Sequence, residues 1–211
     1  MMTSARLRSL LLRAGAGSPL IAIGCLCLAI VAYPGFNNAT QYLSELGSGG
    51  HDPTFFNLAL IVAALGGASV GAGFALAVPA LGGGRVAGLM VAVCFWAAAV
   101  GLIAGVVFVY PNPWHNLIQL GLGIQIAPLV LLVALWRVQG IRGLYSFLIV
   151  AALVMAVLTV LTKHLVWPEL VNSANVGWWE RAYAIVLVGW GGVAAGLIER
   201  RLVALAADEL G

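Results

Sequence analysis

Charge is scarce in this sequence. Asp, Glu, Lys and Arg make up 8% of 211 residues, where soluble domains carry about a quarter. No Asp, Glu, Lys, Arg or His stands near the middle of an apolar run, which argues against the midplane ionisable group that proton pumps and ion-coupled carriers use. Cysteine is scarce as well: Cys25, Cys27 and Cys94 all fall inside apolar runs. Two cysteines spaced i, i+2 do not share a helix face, so a disulfide framework or a zinc site has no basis and the thiols read as small packing groups. Strand-like alternation of apolar and polar residues is missing too, which sets aside a membrane barrel. The basic residues are scattered over separate segments rather than gathered in one stripe, so no nucleic-acid partner is expected.

What is abundant is oil. The apolar share is 63% and the mean hydropathy +1.06. A globule of this length hides only about 70% of its chain surface on folding, so lipid must be the solvent. The apolar runs are about twenty residues long, the length a helix needs to cross about 30 Å of hydrocarbon. Six spans are expected, over 19–36, 55–81, 86–109, 117–136, 144–165 and 178–198. The fold class is therefore all-α, a polytopic six-helix membrane bundle forming one domain over 1–211.

Basic residues collect in cytoplasmic segments. With the amino terminus inside, Arg6, Arg8, Arg13, Arg85, Arg137, Arg142, Arg200 and Arg201 are internal, while Lys163 and Arg181 are external. Both termini are thus expected in the cytoplasm of a cell-membrane protein. The basic start followed by an apolar run also fits a secretory signal, but no cleavage site precedes a polar mature start, so the run reads as a retained span. Residues 6–13 read as a basic turn at the interface. Glycine is frequent, and the pairs Gly67 with Gly71, Gly101 with Gly105 and Gly192 with Gly196 point to close helix packing within the bundle. A homo-oligomer is the alternative. Pro128 should bend the fourth span and free carbonyls for Gln125.

Polar chemistry gathers in the external segments. The first holds Asn37 to Pro53, with a short interfacial helix expected to start at an asparagine, turn Tyr42, Leu43 and Leu46 inward, and stop at Gly47. Asp52-Pro53-Thr54 supplies an acceptor and a proline for the second span, and Asn57 lies one turn inside it. The second patch, 110–116, leads into His115 and Gln119, four apart on one face. His115 beside Glu45 or His51 would make an acid/base pair or a two-ligand metal site; a hydrogen-bonded structural histidine is the plainer reading. The third patch carries Trp167, Trp178 and Trp179, an aromatic belt, with Glu180 and Arg181 expected to pair with Lys163 and Glu45.

Tyr42-Leu43-Ser44-Glu45-Leu46-Gly47, Pro53 with Phe56-Asn57, His115, and Gly177 with Glu180-Arg181 together resemble the six-helix prokaryotic family called domain of unknown function 998, over nearly the whole chain. A fainter similarity runs to the damage-regulated autophagy modulators and the glycosylphosphatidylinositol lipid-remodelling proteins. The resemblance implies a membrane or lipid-linked role and marks Ser44, Glu45, Asn57, His115, Glu180 and Arg181; it carries no reaction, cofactor or metal.

Three functions fit these residues. The leading one is binding of a membrane lipid or a membrane-protein partner at the outer polar cluster, with Tyr42, His51, Asn57, Gln119, Glu180 and Arg181 as contacts. The second is a lipid hydrolase or transferase with His115 as base, Glu45 as orienter or acid and Ser44 as nucleophile. The third is a carrier or haem-binding subunit using His115 and His164, for which glycine-packed helices offer little porphyrin room. No cofactor is expected under the leading reading.

Overall fold

The computed structural model describes residues 4–48, 51–109, 112–164 and 167–208, apart from the side chains of residues 163 and 164. Lys163 and His164 as pairing or haem-ligating groups, and residues 110 and 111 of the second patch, therefore lie outside what is described. Six long helices form the chain: α1 Ser4–Ala32, α2 Thr54–Ala80, α3 Arg85–Val107, α4 Gly123–Leu135, α5 Arg142–His164 and α6 Val176–Asp208. A ten-residue 3-10 stretch, Pro113–Leu122, runs directly into α4. A second short 3-10 helix, Leu43–Gly47, lies between α1 and α2. Among the described residues there is no strand, and six helical segments are long and apolar enough to cross a membrane, the 3-10 stretch and α4 counting together.

The helices close a ring in chain order, with α6 returning to α1 and also touching α2. The loop residues 33–48, 51–53, 108–109, 112 and 167–175 share one end, here the capped end; the first turn of α1 and the last turn of α6 share the other, the terminal end. Glycine lets the backbones approach. A methyl group on Gly71 would stand 3.1 Å from Ala92 O, and one on Gly101 3.0 Å from Leu117 O. Gly192 faces Pro19 of α1, whereas Gly196 has open space around it. Most of the paired glycines thus serve packing inside this chain.

The terminal half is packed solid. Leu12, Phe74, Leu131, Leu148, Met155 and Ile198 are fully buried there. Phe95 lies between Phe74 and Trp190, with ring centroids 5.6 and 5.2 Å away, the offset and edge contacts that aromatic quadrupoles favour. A smaller cluster, Ala29, Leu46 and Phe56, seals the capped end.

Four boundaries differ from the sequence expectation, the simplest being the end of α1, at Ala32 rather than residue 36. The first span does not open at Pro19: α1 starts at Ser4, and the basic stretch 6–13 is its first turns rather than a separate interfacial turn. Proline lacks the N–H that would bond the carbonyl four residues back. Here Ser18 Oγ donates to that carbonyl, Gly15 O, at 3.1 Å, so the orphaned acceptor is satisfied and the helix continues. The fourth span begins four residues early, in 3-10 form. The sixth continues past 198 to Asp208 because its acid is partnered: Glu199 Oε1 accepts from Ser9 Oγ and forms an ion pair with Arg13 Nε at 3.1 Å. The bounds of α2, α3 and α5 fall within two residues of those expected. Gln125 does not serve carbonyls freed by Pro128; its amide donates to Tyr183 and accepts from Thr159 Oγ1 at 3.2 Å, tying α4 to α6 and α5.

Candidate functional site

The capped end is built on the first turns of α6. Gly177 has no side chain, and a Cβ there would meet Asn38 O at 2.5 Å and Ala39 O and Gln41 O at 2.8 Å. That space lets Gly177 N donate to Ala39 O at 2.7 Å. Arg181, one turn on, is 8% exposed. Its Nε donates to Asn38 Oδ1 at 3.0 Å, and its Nη1 donates to Gln41 O at 3.1 Å and Gly177 O at 2.6 Å. The guanidinium also lies over the Phe36 ring, 5.2 Å from its centroid, a cation–π contact. Glu180 Oε2 accepts from Leu43 N at 2.7 Å, at the start of the Leu43–Gly47 helix. Both charged side chains therefore hold backbone of the first loop, a distribution that strengthens each bond because one partner is ionised.

Glu45 is held within that loop. Its Oε1 accepts from Tyr42 N at 2.8 Å, as the glutamate of a capping box does, and its Oε2 accepts from Gln41 Nε2 at 2.9 Å. The expected ion pair of Glu45 with Arg181 is replaced by these bonds, while the guanidinium donates to Asn38 Oδ1, Gln41 O and Gly177 O through Nε and Nη1 and leaves Nη2 buried without a hydrogen-bond partner among the described residues. Among the described residues the ion pair within 4 Å is Arg13 with Glu199. Tyr42 is 47% exposed, and His51 stacks on Tyr33 with centroids 3.8 Å apart. Asp52 Oδ1 accepts from Thr54 N at 3.0 Å and Thr54 Oγ1 at 2.6 Å, bonds that hold its carboxyl below the ordinary aspartate pKa. Asn57 Oδ1 is buried with no hydrogen-bond partner.

Beneath the cap is a cavity of about 380 Å³, within the range of about 300–1,000 Å³ seen for ligand sites. Its walls come from α1, α2, α3, α6 and the 3-10 entry to α4, and most are apolar: Ala22, Leu60, Ala63, Leu102 and Val188 are representative. It extends from Leu43 and Ser44 under the cap to Gly15 and Gly192 midway along the helices. Its polar lining consists of Ser18 low down and Ser44, His115, Gln119, Glu180 and Tyr183 toward the cap. No Lys or Arg lines it among the described residues.

The cavity brings together Ser44, His115, Gln119 and Glu180 of the residues singled out by sequence. Glu45, Tyr42, His51, Asn57 and Arg181 are not in its lining. His115 Nδ1 bonds the Phe108 carbonyl at 2.8 Å, supplied by the chain turn between α3 and the 3-10 stretch; a hydrogen-bonded structural histidine was the plainer expectation, with Glu45 or His51 as the alternative partners. Sequence reasoning passed over Tyr183, Thr159 and Gln125 as a set. Their signal was available: they are polar residues without charge inside apolar runs, and such groups need partners in lipid. Among the described residues no group of three His, Cys, Asp or Glu side chains could hold a metal ion.

Six membrane-length apolar helical segments closed into a ring, with the polar groups gathered mainly at the bundle's ends, define a multi-pass membrane protein. The family model described as "Protein of unknown function (DUF998)" matches residues 16–197, and the chain belongs to that family. No curated protein and no solved structure matches. The fainter likeness to autophagy modulators and lipid-remodelling proteins is not shown by these comparisons.

Proposed function

We propose that this protein binds a membrane lipid, with the lipid's apolar chain in the capped cavity and its polar part toward Ser44, His115 and Gln119. One observation carries the reading: a ligand-sized apolar cavity whose polar groups cluster at the end nearest a membrane surface. That is the polarity profile of an amphiphile. Arg181, Glu180 and Glu45 have the supporting role of holding the lid, since each bonds first-loop groups. By the distribution of arginine, the capped end faces out of the cell and both termini face the cytoplasm. The placement is that of a cell-membrane protein, alone or with a membrane-protein partner or second copy.

The experiment is gentle purification into nanodiscs followed by native mass spectrometry, comparing wild type with Ala63→Phe, which fills the cavity from α2. Bound lipid should fall about tenfold, the loss of about 1.4 kcal/mol of binding, with helix content unchanged. Equal lipid in the two folded proteins would overturn the reading. Ser44→Ala should lower lipid occupancy less than Ala63→Phe does, since it removes one hydroxyl and fills no space. Accumulation of an uncleaved lipid ester in that variant alone would instead favour the hydrolase, for which Ser44 and His115 do line one cavity.

A further inference from the structure

Resting on that reading, we propose a specific ligand class and route: a glycerolipid of the leaflet at the capped end, one chain of which enters sideways past the 3-10 stretch that leads into α4, leaving its ester carbonyl at the Gln119 amide. In a 3-10 helix residues three apart lie over one another. His115, Ile118 and Gly121 thus share one edge, and that edge packs on α3: Ile118 O is 3.1 Å from a Cβ placed on Gly101, and a Cβ placed on Gly121 would stand 3.9 Å from Ala98. Gln119 and Leu122 occupy the next edge. Both line the cavity, yet both are exposed, Leu122 by 39%.

Gln125 continues that edge into the α-helical part and there meets Tyr183 of α6 and Thr159 of α5. One edge of the same helix is therefore tied shut at Gln125 and open at Gln119 and Leu122, just above. The opening is lateral. From the aqueous side Leu43 and Ser44 lie over the cavity, and Glu180 and Arg181 pin the loop that carries them.

Depth and polarity select the ligand. Gln119 is six residues past Pro113, about 12 Å along a 3-10 rise of about 2 Å per residue. In a bilayer of about 40–45 Å with about 30 Å of hydrocarbon, a Pro113 at the outer edge sets the Gln119 backbone about 5–7 Å inside the hydrocarbon, and its side chain, tilted toward the helix start, extends back toward the layer of glycerol esters. The Gln119 side chain has no hydrogen-bond partner among the described residues, so its amide has an N–H to offer a carbonyl. With no Lys or Arg in the wall among the described residues, a phosphate inside would have no cation to pair with; it stays outside in the headgroup layer.

The test is lipid exchange. Protein in vesicles of phosphatidylethanolamine and phosphatidylglycerol is mixed with vesicles of the deuterated lipids, and the bound species is followed by native mass spectrometry. Leu122→Trp should slow exchange about tenfold, as a gate does, without lowering the final occupancy, while Val193→Trp, on the exposed face of α6, should not. If Leu122→Trp fails to fold, Gln119→Cys serves, labelled with a bulky maleimide after folding in a chain whose Cys25, Cys27 and Cys94 are alanine. Gln119→Leu should bind ester and ether analogues alike, whereas wild type prefers the ester. Wild-type exchange rates in both blocked proteins, with lipid still bound, would overturn the portal and leave the binding reading standing. Lipid absent from wild type itself would overturn the binding reading first.

Discussion

The two halves of the bundle are made of similar residues and packed to different ends. At the terminal half Leu12, Phe74, Leu131 and Ile198 are fully buried against one another's helices; at the capped half Leu60, Ala63, Leu102 and Val188 surround about 380 Å³ of space. Composition does not separate them. What differs is how each half is fastened. Interdigitated side chains hold the terminal half, and a solid core resists change at every methylene. The capped half is fastened from above, by a loop tied through Gly177, Glu180 and Arg181, so its helices need not meet in the middle.

That contrast can be broken most forcefully by leucine truncation. Leu131→Ala, at a fully buried site, should cost about 3–4 kcal/mol, measured as thermal or denaturant unfolding in detergent. Leu60→Ala, in the cavity wall, should cost about 1 kcal/mol, because little new cavity surface is made there. Equal losses would mean that the capped half is as tightly packed as the other. Arg181→Leu comes next. It removes the donors to Asn38, Gln41 and Gly177 and should destabilise by about 2–3 kcal/mol, as buried acceptors lose their partners. Hydrogen exchange should rise in the first loop and leave the terminal ends of α1 and α6 protected; a uniform rise would show that the lid is not a separate fastening.

The smallest effect concerns Asp52, at the foot of α2. Its carboxyl is held below its ordinary pKa, chiefly by the Thr54 hydroxyl and then by the Thr54 N–H. A depressed folded value means stability that is present above the unfolded pKa and lost as pH falls through the folded one. Thr54→Val should raise the Asp52 titration toward the ordinary range and weaken the acid-side stabilisation of the cap. Carboxyl titration by NMR reads it, and an unmoved midpoint would remove the hydroxyl as cause.

The sequence disclosed the spans because lipid demands long apolar runs, and α2, α3 and α5 fall where hydropathy puts them. It misled at Pro19, where a proline that looks like a helix start is carried inside α1 by the Ser18 hydroxyl one residue before it. It also misled at 199–201, where charges suggest an ending that the Ser9 and Arg13 partners of Glu199 remove the need for. At the capped end, Ser44, His115, Gln119 and Glu180 were visible as polar residues near helix starts. Their division of labour was not. Glu45 and Glu180 each accept from a backbone N–H of the first loop, yet of the two Glu180 also lines the cavity, a difference of position that the sequence does not state. The cavity itself was illegible, since it is a shortfall of volume shared among several helices.

The winding of residues Pro113–Leu122 also sets reach. Ten residues at about 2.0 Å each extend about 20 Å, whereas the same ten wound as α-helix would extend about 15 Å. With thirteen α-helical residues behind them, the fourth crossing attains about 40 Å from 23 residues. Trp114, 63% exposed near its tip, is thereby carried about 5 Å further along the helix axis than an all-α winding would carry it.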